Sequence, residues 1–121
     1  MNNEIKEYIN NAIQEALAEQ TQAKCSPRAF QPTFNKWFRD ETGYIPYSKM
    51  GREFNSGPKA YAIWNRVRPI VTAIFDCTHV VQIEYKNQEY ANEIADRILQ
   101  VIYDCKVEYN ERKKEKTAEN K

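Results

Sequence analysis

Between Phe34 and Arg68 the chain reads FNKWFRDETGYIPYSKMGREFNSGPKAYAIWNRVR, and this stretch constrains the fold more than any other. Turn signals at Gly43 and at Ser56-Gly57-Pro58 cut it into short pieces, within which aromatic and aliphatic residues recur at helical steps. The pieces read as short helices joined by tight turns. Charge is segregated here as well. Residues 24–73 hold nine Lys and Arg (24, 28, 36, 39, 49, 52, 59, 66, 68) against three acids (40, 41, 53), a local net of +6 in a chain whose formal net charge is +1.

The 121 residues suit one domain with tails rather than two cores. A mean hydropathy of -0.83 with 29% charged residues points to long polar helices. No apolar run is long enough to span a bilayer, and the N-terminal stretch is acidic and amphipathic, unlike a signal peptide, so a cytoplasmic protein without a membrane partner is expected. Cys25, Cys77 and Cys105 are odd in number and widely spaced, which fits reduced structural thiols better than a disulfide framework or a zinc site.

Residues 1–20 read as an amphipathic helix, with Ile5, Tyr8, Ile9, Ala12, Ile13 and Ala16 on one stripe. Between Asn3 and Glu19 it carries four acids and one Lys, which suits packing or pairing of two copies better than contact with nucleic acid. Residues 21–31 read as a linker, residues 32–109 as the core, and residues 110–121 as a charged, disordered tail. Within the core, a helix is expected from Pro32 to Thr42, ended by Gly43. A short helix over Tyr47–Asn55 and a longer one to about Phe75 follow. His79–Tyr85 alternates and reads as a strand, with Tyr44–Pro46 as its candidate partner. The last helix starts near Gln88, its stripe formed by Ala91, Ile94, Ala95, Ile98, Val101, Ile102 and Cys105.

The unit beginning at Tyr47 fits the general helix-turn-helix pattern. It places Met50, Phe54, Tyr61 and Trp64 at the apolar positions, Gly51 where the crossing helix leaves no room for a side chain, and Asn55 where the turn needs positive φ. Ser56 is the one mismatch, standing where an apolar residue is preferred. The expected fold is therefore mainly α: a helix-turn-helix, winged-helix-like core with one or two short strands, flanked by amphipathic helices.

On that geometry Lys59, Ala62, Ile63 and Arg66 face a DNA major groove, Lys36, Arg39, Lys49 and Arg52 meet phosphates, and Arg68 belongs to the same basic surface. Double-stranded DNA is the expected partner, with a homodimer as a further expectation. A stacking platform for single strands, built from Phe34, Trp37, Phe38, Phe54, Tyr61 and Trp64, is outweighed by helical spacing that marks these rings as core. The competing function is a protein-binding adapter or inhibitor, since Tyr, Trp and Arg also dominate protein interfaces. An enzyme is not expected: there is no phosphate-cradling Gly loop, nucleophile elbow or H-E-x-x-H, and Asp40-Glu41 diverge on a helix. No catalytic residue, metal ligand, cofactor or small-molecule substrate is assigned; His79 beside Cys77 lacks a third ligand in sequence.

Phe34-x-x-Trp37, Gly43, Ser48-Lys49, Gly51-Arg52 and Phe54 resemble the winged-helix DNA-binding segment at the C-terminus of phage and poxvirus-type helicase-primases. Lys59-Ala60-Tyr61 through Val81, Tyr85, Tyr90-Ala91 and Ile94 is similar to the small C-terminal domain of phage antirepressor proteins. Both resemblances imply a protein of a bacteriophage, plasmid or other mobile element, acting as a regulator or as an accessory factor in DNA processing.

Overall fold

Five α-helices and three 3-10 turns make up the described part of the protein, residues 4–13 and 24–119 of a computed structural model. Residues 4–13 form α1, followed by α2 (Gln31–Phe38), α3 (Lys49–Phe54), α4 (Gly57–Ile74) and α5 (Gln88–Glu119). The 3-10 turns are Ile45–Tyr47, Val80–Gln82 and Tyr85–Asn87. The fold is mainly α, as the sequence suggests. Residues 1–3, the stretch of the first helix beyond residue 13 and the first residues of the linker lie outside the described residues.

Each of α2, α3, α4 and α5 touches the other three, so the core sits where four helices meet. Trp37 and Phe38 from α2, Met50 from α3, Ala60, Trp64, Val67 and Val71 from α4, and Ala91, Ala95 and Leu99 from α5 are buried there. On α4 the buried residues advance by three or four, which makes one stripe facing inward. Phe34, Phe38 and Trp64 pack ring against ring, with centroids 5.4 to 5.6 Å apart. Such pairs add to the burial of apolar area, and they fix how α2 lies against α4.

The turn chemistry follows the residues. Ser48 caps α3 by accepting from Gly51 N at 2.9 Å, and its hydroxyl donates to the Ile45 carbonyl at 2.6 Å. Asn55 then takes φ +50, the left-handed conformation expected of it. Ser56 caps α4, accepting from Lys59 N at 3.2 Å, which explains a polar residue at a position that otherwise favours an apolar one. Gly51 is confined as expected but by a different neighbour. A Cβ built there would overlap the Ile45 carbonyl oxygen in the preceding 3-10 turn, so that turn and not the crossing helix excludes a side chain.

Five expectations are corrected. No strand occurs among the described residues. In place of the His79–Tyr85 strand, the Gln82 side-chain oxygen accepts from Thr78 N, the Thr78 hydroxyl and His79 N at 2.9 to 3.1 Å, curling the segment on itself. Only Ile83 of the alternating residues is buried, while Val81 and Tyr85 are exposed. Tyr44–Pro46 leads likewise into a 3-10 turn. Second, α2 ends at Phe38 rather than Thr42, because one Asp40 oxygen accepts from Thr42 N, the Thr42 hydroxyl and Tyr44 N, bending the chain before Gly43 at φ +86.

Third, the supposed linker is part of the core: Cys25, Ala29 and Phe30 are buried, and Cys25 N donates to the Ile83 carbonyl at 2.8 Å. Fourth, α5 continues as helix through the supposed tail to Glu119, with Asn110 donating to the Glu53 carbonyl at the end of α3. Its inner stripe uses Leu99, whereas Val101 and Cys105 are exposed. Fifth, α1 does not pack on the core. Every one of its residues is exposed, including Ile5, Tyr8, Ile9 and Ile13.

Asn92 ties the former linker to the helices. Its Nδ2 donates to the Ala29 and Gln88 carbonyls at 2.8 and 3.0 Å, and its Oδ1 accepts from the buried Thr33 hydroxyl at 2.6 Å. Asn92→Ala takes the side-chain donor from the Ala29 carbonyl and leaves the Thr33 hydroxyl only the Asn92 backbone carbonyl at 3.4 Å, and is expected to lower stability by about 2 kcal/mol, read from a urea melt. A change within about 0.5 kcal/mol, the range of ordinary surface substitutions, would contradict this role.

Candidate nucleic-acid interface

The residues singled out by sequence, apart from Arg52 and Ile63, fall into three groups. Lys59, Ala62 and Arg66 form the first, exposed on the face of α4 opposite its buried stripe. No acidic residue occurs anywhere in α4, GPKAYAIWNRVRPIVTAI. Lys59 and Arg66 form no ion pair among the described residues. Ile63 does not belong with them. It is half-buried against the core, since it lies about 100° round the helix from Trp64.

Lys36 and Lys49 make the second group and gather on α5. Lys36 Nζ pairs with Asp96 at 2.7 Å, and the same carboxylate oxygen accepts from Trp37 Nε1 at 2.8 Å. Lys49 Nζ lies 4.7 Å from the Trp37 ring centroid and 5.2 Å from that of Tyr103. These two cations, expected as phosphate contacts, brace the seam of α2, α3 and α5.

Burial pushes the Asp96 carboxyl upward, but hydrogen bonds from Lys36 and Trp37, with the charges of Lys36 and Lys49, outweigh it and hold the group below its ordinary value. A carboxyl lowered by folding stabilises the protein above its unfolded value, near 4, and that contribution is lost as pH falls through the lower folded value. Asp96→Asn is therefore expected to be less stable than wild type at neutral pH, with the gap closing in urea melts as pH drops below about 4. A gap independent of pH would contradict the ion pair's role.

Arg39 and Arg68 form the third group. Together with Arg28 they line a cleft of about 280 Å³ between α2 and α4, whose wall includes Phe34, Tyr61 and Trp64. The Arg39 guanidinium lies 5.3 Å from the Phe34 ring centroid, and Arg68 Nη2 donates to Asn65 Oδ1 at 3.1 Å. Tyr61, an apolar position in the sequence pattern, is 43% exposed here. Arg52, on α3, is exposed and joins none of these groups.

Comparison with protein-family models, curated proteins and solved structures finds no match.

Sequence reasoning missed three participants: Arg28, because its segment reads as a linker, and Asn92 and Asp96, because a polar residue on an amphipathic helix gives no sign of a partner some sixty positions away. Among the described residues no His, Cys, Asp and Glu group could hold a metal ion, and no helix is long and apolar enough to cross a membrane. All three thiols are free. Burial, with Cys77 adding, pushes the Cys25 thiol up, away from the reactive thiolate.

Proposed function

We propose that the protein binds double-stranded DNA as a regulator or DNA-processing accessory factor of a mobile element, with α3 and α4 as a helix-turn-helix unit and α4 laid against the major groove. One observation carries the reading: α4 is an eighteen-residue helix without an acidic residue, and its outer face carries Lys59 and Arg66, neither in an ion pair among the described residues. A helix of one charge sign, held rigidly by a buried stripe, raises the local concentration of a polyanion. The left-handed turn at Asn55 and the capped start at Ser56 support α4 in that role. Arg52 and Arg68, on the flanks, are placed to contact phosphates.

The winged-helix comparison is narrowed to the helical unit, since the segments that would supply strands are 3-10 turns. The small outer face holds few polar groups, so any sequence preference rests on Arg66 and Lys59 together with DNA shape. Two copies pairing through the exposed Ile5–Ile13 stripe of α1 would double the contact. A monomer mass in light scattering would contradict that pairing.

Duplex affinity tests the proposal. With about four or five cations near phosphates, the slope of log K against log salt is expected near −4 in fluorescence anisotropy on a duplex oligonucleotide. Absence of binding at low salt would overturn the proposal.

A further inference from the structure

The cleft between α2 and α4 has a chemistry of its own, separate from the outer face of α4. Three arginines, Arg28, Arg39 and Arg68, converge on it from the former linker, the end of α2 and the middle of α4, and no carboxylate lines it. None of the three forms an ion pair among the described residues. Like charges brought to one concavity repel, and guanidinium groups match phosphate oxygens by paired hydrogen bonds. The cleft thus carries three exposed cations and no carboxylate.

Its walls narrow the class of anion. Phe34 is half-buried under Arg39, and Tyr61 stands edge-on to Phe34 with ring centroids 6.2 Å apart, 43% exposed and open to the cleft. Exposed aromatic faces and guanidinium planes both stack on flat heterocycles. The volume, about 280 Å³, lies near the lower end for small-ligand sites and suits a single ring system with its phosphate rather than a longer ligand.

We infer that this cleft binds one nucleotide unit, its phosphate held by Arg28, Arg39 and Arg68 and its base against Tyr61. The unit is either a free mononucleotide or an unpaired nucleotide of a single strand, since both present the same base and phosphate. The site goes beyond the duplex-binding reading: it shares Arg68 with it, but Lys59 and Arg66 take no part, and Arg28, Arg39 and Tyr61 belong to the cleft alone.

Isothermal titration of the full chain with dAMP, deoxyadenosine, inorganic phosphate and a short single-stranded oligonucleotide tests the inference, alongside Arg39→Gln, Arg68→Gln and Tyr61→Ala. These side chains lie at the surface of the cleft, and circular dichroism checks that each variant keeps its helices. Either dAMP or the oligonucleotide is expected to bind at least about tenfold tighter than phosphate or deoxyadenosine, the first pointing to a free nucleotide and the second alone to a strand. Each substitution is expected to weaken that binding by about tenfold, and Lys116→Ala, exposed near the end of α5, to leave it unchanged. Phosphate bound as tightly as dAMP and the oligonucleotide, no binding of either, or binding that survives the cleft substitutions would overturn the inference.

Discussion

Gly51→Ala is expected to lower the stability of the protein by about 3 kcal/mol, the upper range for overpacked sites, and its melting temperature by about 15 °C. The added Cβ would overlap the Ile45 carbonyl oxygen and come within 2.9 Å of Ser48 Oγ. That carbonyl cannot easily retreat, because it accepts from both Ser48 N and the Ser48 hydroxyl, and Ser48 in turn caps α3. A shift there disturbs the turn, the cap and Met50 together. Gly57→Ala is the contrasting case: its Cβ would meet the Pro46 ring at 3.1 Å, a neighbour that can pucker, and alanine favours the helix. Its change is expected to stay within about 1 kcal/mol. Thermal melts giving the two variants equal stability would contradict the tight approach at Gly51.

The double substitution Lys59→Ala/Arg66→Ala is expected to weaken duplex binding by about a hundredfold and to reduce the salt slope by about 2, leaving stability unchanged. Both side chains are exposed and neither supports the fold. Lys36→Ala is a useful comparison, since Lys36 is engaged with Asp96 on α5, away from α4. It is expected to alter DNA affinity far less than the double substitution. Equal losses from both would mean that the interface spans the α2–α5 seam and that α4 is not its centre.

The helical part of this architecture is legible in the sequence because its signals are local. The helical spacing of Phe34, Trp37 and Phe38, the small residue at Gly51 and the turn at Asn55 each depend on neighbours within a few residues, whereas Ser56 reads as a mismatch until its cap on α4 is seen. What is not legible depends on distance. Alternation in HVVQIEY is a real signal for a strand, but a strand needs a partner, and the Gln82 side chain satisfies the nearby backbone donors instead. The irregular stretch before Pro32 reads as a linker until Asn92 and Ile83 supply the hydrogen bonds that bury it. The same limit applies to the candidate site. Nine basic residues in one segment announce a charged surface, but only the fold separates Lys36 and Lys49, turned to α5, from Arg39 and Arg68 in the cleft and from Lys59 and Arg66 outside.

The most direct test of DNA binding by α4 is a titration of the isotopically labelled protein with duplex DNA, followed by amide chemical shifts. The largest changes are expected between Lys59 and Arg66 and at the preceding turn, with small ones along α5. Changes concentrated on α1 or α5, or a spectrum that duplex DNA leaves unaltered at low salt, would contradict DNA binding by α4.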